Sequence, residues 1–131
     1  MTEDLDLDDL LAAATTVLGE RPLVRDLGIL EGALARVAAT AFGTEVYPDL
    51  DAKAAALLHA IASGHPLLDG NKRLGWVACR LFCRLNRRQL RMPVQDAYAL
   101  VVAIADGSLR DVPDIAAHLR PWVTEAAPDP G

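Results

Sequence analysis

Apolar side chains recur three and four residues apart along almost the whole chain, and no stretch alternates apolar and polar residues with period two. A helix repeats every 3.6 residues and a strand every two, so this spacing selects helices and excludes a sheet as the main scaffold. The expected fold class is therefore all-α, a compact bundle of about six helices. Leu7, Leu10, Leu11, Ala14 and Leu18 form the first stripe, which Gly19 and Arg21-Pro22 bring to an end. Leu30, Ala33, Leu34, Val37 and Ala38 form the second, with Asp26 placed as its N-cap. Between Phe42 and Pro48 the pattern breaks, which suits a short flap, and a third stripe of Ala54, Leu57, Leu58 and Ile61 then runs to Gly64. The fourth, with Leu74, Val77, Ala78, Leu81, Phe82 and Leu85, is the best marked and predicts a central helix. Ala97, Leu100, Val101 and Ile104 form a fifth; Asp111-Val-Pro-Asp opens a sixth that carries Ile115, Leu119 and Trp122.

At 131 residues the chain has the size of one domain, and at this length roughly two-thirds of the unfolded surface can be buried. Residues 1–124 are expected to form that domain, with 125–131 as a frayed tail ending Pro-Asp-Pro-Gly. No apolar run approaches the ~20 residues of a membrane-spanning helix. The first residues are acidic where a secretory signal would be basic, so a soluble cytoplasmic protein with no membrane partner is expected. Cys79 and Cys83 stand four apart in one helical pattern with no zinc-type partner nearby, and read as small core residues. His59 and His118 lie within helical patterns and read as structural histidines.

The net charge of −5 argues against general nucleic-acid binding, which depends on Lys and Arg neutralising phosphates. That average conceals an asymmetry. Glu3, Asp4, Asp6, Asp8 and Asp9 crowd the beginning of the chain, whereas Lys72, Arg73, Arg80, Arg84, Arg87, Arg88 and Arg91 follow Gly70 with no intervening acid. Arg73, Trp76, Arg80, Arg84 and Arg87 would share one face of the fourth helix, either as a solvated face or as a docking surface for an acidic partner.

The informative junction is His65-Pro-Leu-Leu-Asp-Gly-Asn-Lys-Arg73, which runs straight into the fourth helix. A helix N-terminus carries unpaired N–H groups and partial positive charge, so the Asp69-Gly70-Asn71 turn is a ready anion site. Gly70 allows close approach of backbone to a phosphate. Lys72 and Arg73 place full charges where cations disfavour a helix unless an anion is expected. Asp69 is a hard oxygen ligand of the kind that grips Mg²⁺ beside substrate phosphates. His65 supplies an imidazole, the side chain whose ordinary ionisation falls near neutral pH, and so a candidate base. Taken singly, Asp69 or Asn71 would cap the helix and His65 would be structural; together these residue types point to phosphoryl or nucleotidyl transfer.

This nine-residue segment resembles the signature of the Fic/Doc superfamily, and its Asn71-Lys72-Arg73 ending resembles the short death-on-curing (Doc) toxin branch. The resemblance extends to Arg25-Asp-Leu-Gly-Ile-Leu-Glu-Gly-Ala-Leu-Ala-Arg36, to residues 49–62 and to Leu81-Phe-Cys-Arg-Leu-Asn86, covering roughly residues 5 to 122. It implies the helical Fic/Doc fold and the cofactors ATP and Mg²⁺. It also implies a site in which His65 and Arg73 are catalytic, Asp69 holds the metal, and Gly70, Asn71, Lys72 and Arg73 surround the phosphates. By the same resemblance the activity is transfer of the ATP γ-phosphate to a Ser/Thr hydroxyl of elongation factor Tu, with an antitoxin carrying a disordered tail as partner. The alternatives are AMP transfer, as in the Fic branch, and an inert interaction module. Leu67 stands where the motif usually has Phe, and should still anchor the loop as an apolar side chain of similar kind. The Glu31-Gly32 pair is similar to the end of an inhibitory motif of some Fic proteins, but Leu27 stands where that motif has Ser or Thr.

Overall fold

In the computed structural model, which describes residues 2–127, six helices follow one another along the chain. They are α1 (Leu7–Leu18), α2 (Leu27–Val37), α3 (Leu50–Gly64), α4 (Asn71–Leu85), α5 (Val94–Ala105) and α6 (Val112–Leu119). Helix α3 lies deepest. From Lys53 to Leu58 and again at Ile61 and Ala62, α3 is buried on every side, as a helix without a polar face must be. It packs against α2, α4, α5 and α6, and buried side chains from all six helices merge into one cluster. No helix among the described residues is long and apolar enough to cross a membrane.

Helix α4 lies against α3, α1 and α5. Its buried face is Leu74, Gly75, Ala78, Cys79, Phe82 and Cys83, while Leu81 and Leu85 of the expected stripe are exposed. The helix is turned toward its small residues because they let it approach α3: a Cβ on Gly75 would stand 3.3 Å from Leu58 and 3.4 Å from the backbone of Ala62. Cys79 and Cys83 are core residues without a disulfide. A hydrogen bond between the two thiols, reinforced by burial, pushes the Cys79 pKa well up.

Several local features depart from a simple helical reading. The acidic start of the chain has a structural use: Asp6 and Asp9 cap α1 reciprocally, each side chain accepting from the other's backbone N–H. Asp26 occupies the N-cap position of α2 but makes no side-chain capping bond. The expected flap is a small antiparallel hairpin, β1 (Thr40–Ala41) with β2 (Thr44–Glu45), turning through Phe42 and Gly43, both at positive φ. A second two-stranded antiparallel sheet pairs β3 (Arg88–Leu90) with β4 (Val123–Glu125) across α5 and α6, with Arg88 opposite Glu125 and Leu90 opposite Val123. It corrects the expected tail. Glu125 belongs to β4 and Ala126 donates to the Arg87 carbonyl, whereas residues 128–131 lie outside the described residues.

Two contacts tie the β1–β2 hairpin to the bundle. Lys53, 2% exposed, pairs with Glu45 at 3.3 Å and donates to the Val37 carbonyl at 3.2 Å, which is how a charge is tolerated at that depth. Arg36 donates through Nε to the Tyr47 hydroxyl at 3.0 Å and through Nη1 to His59 Nδ1 at 2.9 Å. Arginine has no acceptor, so Nδ1 must carry a lone pair and the imidazole is neutral. Burial, and then the Arg36 charge, lower the His59 pKa below its ordinary value of 6.5.

A histidine held neutral in the fold contributes stability that is complete above its ordinary pKa and is lost as pH falls through the lowered one. Thermal unfolding between about pH 5 and pH 8, where histidines titrate, is therefore expected to show Tm falling on the acid side. His59→Gln should flatten that decline; an unchanged decline would exclude His59 as its source.

Candidate active site

Helix α3 ends at Gly64, and His65 takes the left-handed cap, with φ 53° and ψ 57° and its N–H on the Ile61 carbonyl. A glycine would adopt this conformation without strain, yet the glycine stands one residue earlier. The reason is packing: a Cβ on Gly64 would fall 2.7 Å from Ile29 Cγ2 of α2. His65 consequently bears the left-handed backbone, a cost of about 1–2 kcal/mol for a residue with a side chain. Pro66 follows and disfavours any helical continuation at His65.

The segment Leu23–Asp26 holds this loop from the side. Val24 and Leu67 form an isolated antiparallel bridge, Leu68 donates to the Leu23 carbonyl, and the N–H groups of Arg25 and Asp26 both donate to the Pro66 carbonyl. The Arg25 guanidinium donates through Nε to the His65 carbonyl at 2.8 Å and through Nη2 to the Gly64 carbonyl at 3.0 Å. Sequence reasoning assigned Arg25 no role, because its partners lie forty and thirty-nine residues away. Leu67, 2% exposed, is the apolar plug of the loop, as expected for the position where the motif usually has Phe.

Asn71 closes the loop from the other end. It is the first residue of α4, preceded by Gly70 at the N-cap with φ 85°. Its side chain turns back, Oδ1 accepting from Leu67 N–H at 2.8 Å and Nδ2 donating to the Leu67 carbonyl at 2.9 Å. Its amide group is thus engaged with the loop backbone, and any contact with an anion falls to its N–H. At Gly70, the positive φ and Leu18, 2.7 Å from where a Cβ would sit, both demand glycine.

These elements leave a corner where the C-terminus of α3 meets the N-terminus of α4. His65, Asp69, Lys72 and Arg73 are all exposed there, and their side chains make no hydrogen bond or ion pair among the described residues. The first N–H groups of α4 point toward the same corner without helical acceptors. No group of three or more His, Cys, Asp and Glu that could hold a metal occurs among the described residues. Beside the corner a groove of ≈ 820 Å³ runs between α4 and α5; Trp76, Met92 and Tyr98 line it, with Lys72, Arg73 and Arg80 at its basic edge. Of the expected basic face, Arg87 falls beyond the end of α4, at φ 64°.

A model of the Fic/DOC family matches residues 4–83, a span that contains α1, α2, α3, the whole loop and all but the end of α4. The chain belongs to the Fic/DOC family. It is also 41% identical over 128 residues to a protein called Toxin Doc from Mycolicibacterium smegmatis, an alignment that covers 96% of this chain and 98% of that one. The similarity to the Mycolicibacterium protein reaches past the family match, into α5, α6 and the β3–β4 sheet. In this Fic/DOC chain the loop is held by backbone and Asn71 contacts that leave His65, Asp69, Lys72 and Arg73 facing outward.

The loop's rigidity should be measurable. Asn71→Ala removes both bonds to the buried Leu67 backbone and is expected to cost about 1–3 kcal/mol in urea unfolding. Asn71→Asp, which keeps the acceptor and loses the donor, should fall between that variant and wild type. Wild-type stability in both would show that these bonds do not hold the loop.

Proposed function

We propose that this chain is a Doc-type toxin of a toxin–antitoxin pair that acts in the cytoplasm, transferring the γ-phosphate of ATP to a Ser/Thr hydroxyl of a protein target. By resemblance that target is elongation factor Tu, and its modification would block translation. The observation that carries the reading is the pair of unpartnered cations, Lys72 and Arg73, in the first turn of α4, beside exposed His65 and Asp69. Charge of this sign at a helix N-terminus is unfavourable without an anion and favourable with a polyphosphate.

The residues present fit a nucleotide with its metal. Asp69 alone cannot enclose a cation, which suits Mg²⁺, an ion usually held by one or two carboxylates together with substrate phosphates and water. When bound, MgATP would supply the phosphoryl group and offset the charge around it. The N–H groups of Gly70, Asn71, Lys72 and Arg73 and the two side-chain cations would hold the phosphates, with Arg73 stabilising charge that develops during transfer. The His65 imidazole would take the proton of the attacking hydroxyl at one ring nitrogen. The Asn71-Lys72-Arg73 ending favours attack at the γ-phosphorus.

The groove along α4 supports the partner half of the reading. Its apolar lining and basic edge match an acidic, amphipathic segment of the kind a disordered antitoxin tail would fold into. Such a segment would meet Lys72 and Arg73, the cations assigned here to phosphate.

Purified protein incubated with elongation factor Tu and with γ-labelled or α-labelled ATP tests this directly. Label is expected on the factor from the γ position only, and His65→Ala should lower the rate on the order of 10²–10⁴-fold, the usual contribution of a general base. Label from the α position would replace phosphoryl by AMP transfer. Growth inhibition that survives both His65→Ala and Asp69→Ala would mean an inert interaction module.

A further inference from the structure

We infer that Arg25 is a positioning residue for His65; the catalytic half of this inference rests on His65 acting as the base. Non-glycine residues leave the left-handed region unless neighbouring contacts hold them there. At His65 those contacts converge from one short segment. The two guanidinium bonds reach the carbonyls of Gly64 and His65, at 3.0 and 2.8 Å. The adjacent backbone bonds from Arg25 and Asp26, at 2.8 and 3.0 Å, fix the Pro66 carbonyl. The peptide groups on both sides of the His65 Cα are therefore pinned, and the direction of its Cα–Cβ bond is set before any substrate arrives.

The chemistry of the contact calls for arginine. Both carbonyls lie at the C-terminus of α3, where acceptors lack helical donors and the helix dipole favours a cation. The planar guanidinium offers two N–H groups along one edge and can bond two oxygens at once; a lysine ammonium acts as a point charge and has no such fork. Arg25 is itself exposed, so its truncation leaves no cavity in the core. The consequence of losing it should appear in the loop rather than in the global fold.

The test uses Arg25→Ala and Arg25→Lys in the full chain, with two readouts. In NMR spectra of the free protein, the carbon shifts of His65 should carry the left-handed signature in wild type and lose it in Arg25→Ala. In steady-state transfer from γ-labelled ATP, Arg25→Ala should lower kcat on the order of 10- to 100-fold, as misplacement of a catalytic group does, with little change in KM for ATP. Arg25→Lys should recover only part of the rate, and added methylguanidine should restore activity to Arg25→Ala. Unchanged His65 shifts in Arg25→Ala, or a wild-type kcat with a raised KM, would overturn the inference, the latter assigning Arg25 to nucleotide binding. The His65→Ala control separates the two ideas. Full turnover in that variant overturns the catalytic half together with the proposed function, while altered His65 shifts in Arg25→Ala would still support the backbone assignment.

Discussion

The contact between the Arg25 guanidinium and the last carbonyls of α3 is the one on which the geometry of the site depends. It closes a helix in the left-handed region at a residue that is not glycine, and so lets a histidine occupy the turn itself. Everything downstream follows from that turn. The chain leaves it through Pro66, buries Leu67 beside Val24, and re-enters a helix at Asn71 with Lys72 and Arg73 outward.

The arrangement divides labour between side chains that hold and side chains that are presented. Arg25, Leu67, Gly70 and Asn71 make the contacts that fix the loop, whereas His65, Asp69, Lys72 and Arg73 make none among the described residues. Two cations at a positive helix end without a partner oppose local stability, and such conflicts concentrate where function requires them. The neighbouring groove shares Lys72 and Arg73 with this corner, so an acidic segment seated there and a nucleotide phosphate would draw on the same charges.

The sequence made the six helices legible because each carries enough turns for a 3.6-residue period to show. The nine-residue loop was legible because its chemistry is contiguous. The parts that escaped have physical reasons. The strands are two or three residues long, below the length at which alternation can be seen. The expected stripe on α4 included Leu81 and Leu85, but small residues won the buried face by allowing α3 to come close. Gly64 looked like the helix cap and is instead required by the proximity of Ile29. The inward turn of Asn71 and the reach of Arg25 are matters of side-chain direction and of contact across distant segments. The burial of Lys53 likewise depends on a distant segment, the hairpin that brings Glu45 to it.

Polyphosphate binding at this corner is the property proposed above. Titration of isotopically labelled protein with MgATP, followed by backbone amide spectra, tests it most directly. The largest shifts are expected on the amides of Gly70, Asn71, Lys72 and Arg73, with His65 affected next. Saturating MgATP that leaves those amides unmoved, or that moves only residues along the apolar groove of α4 and α5, would contradict it.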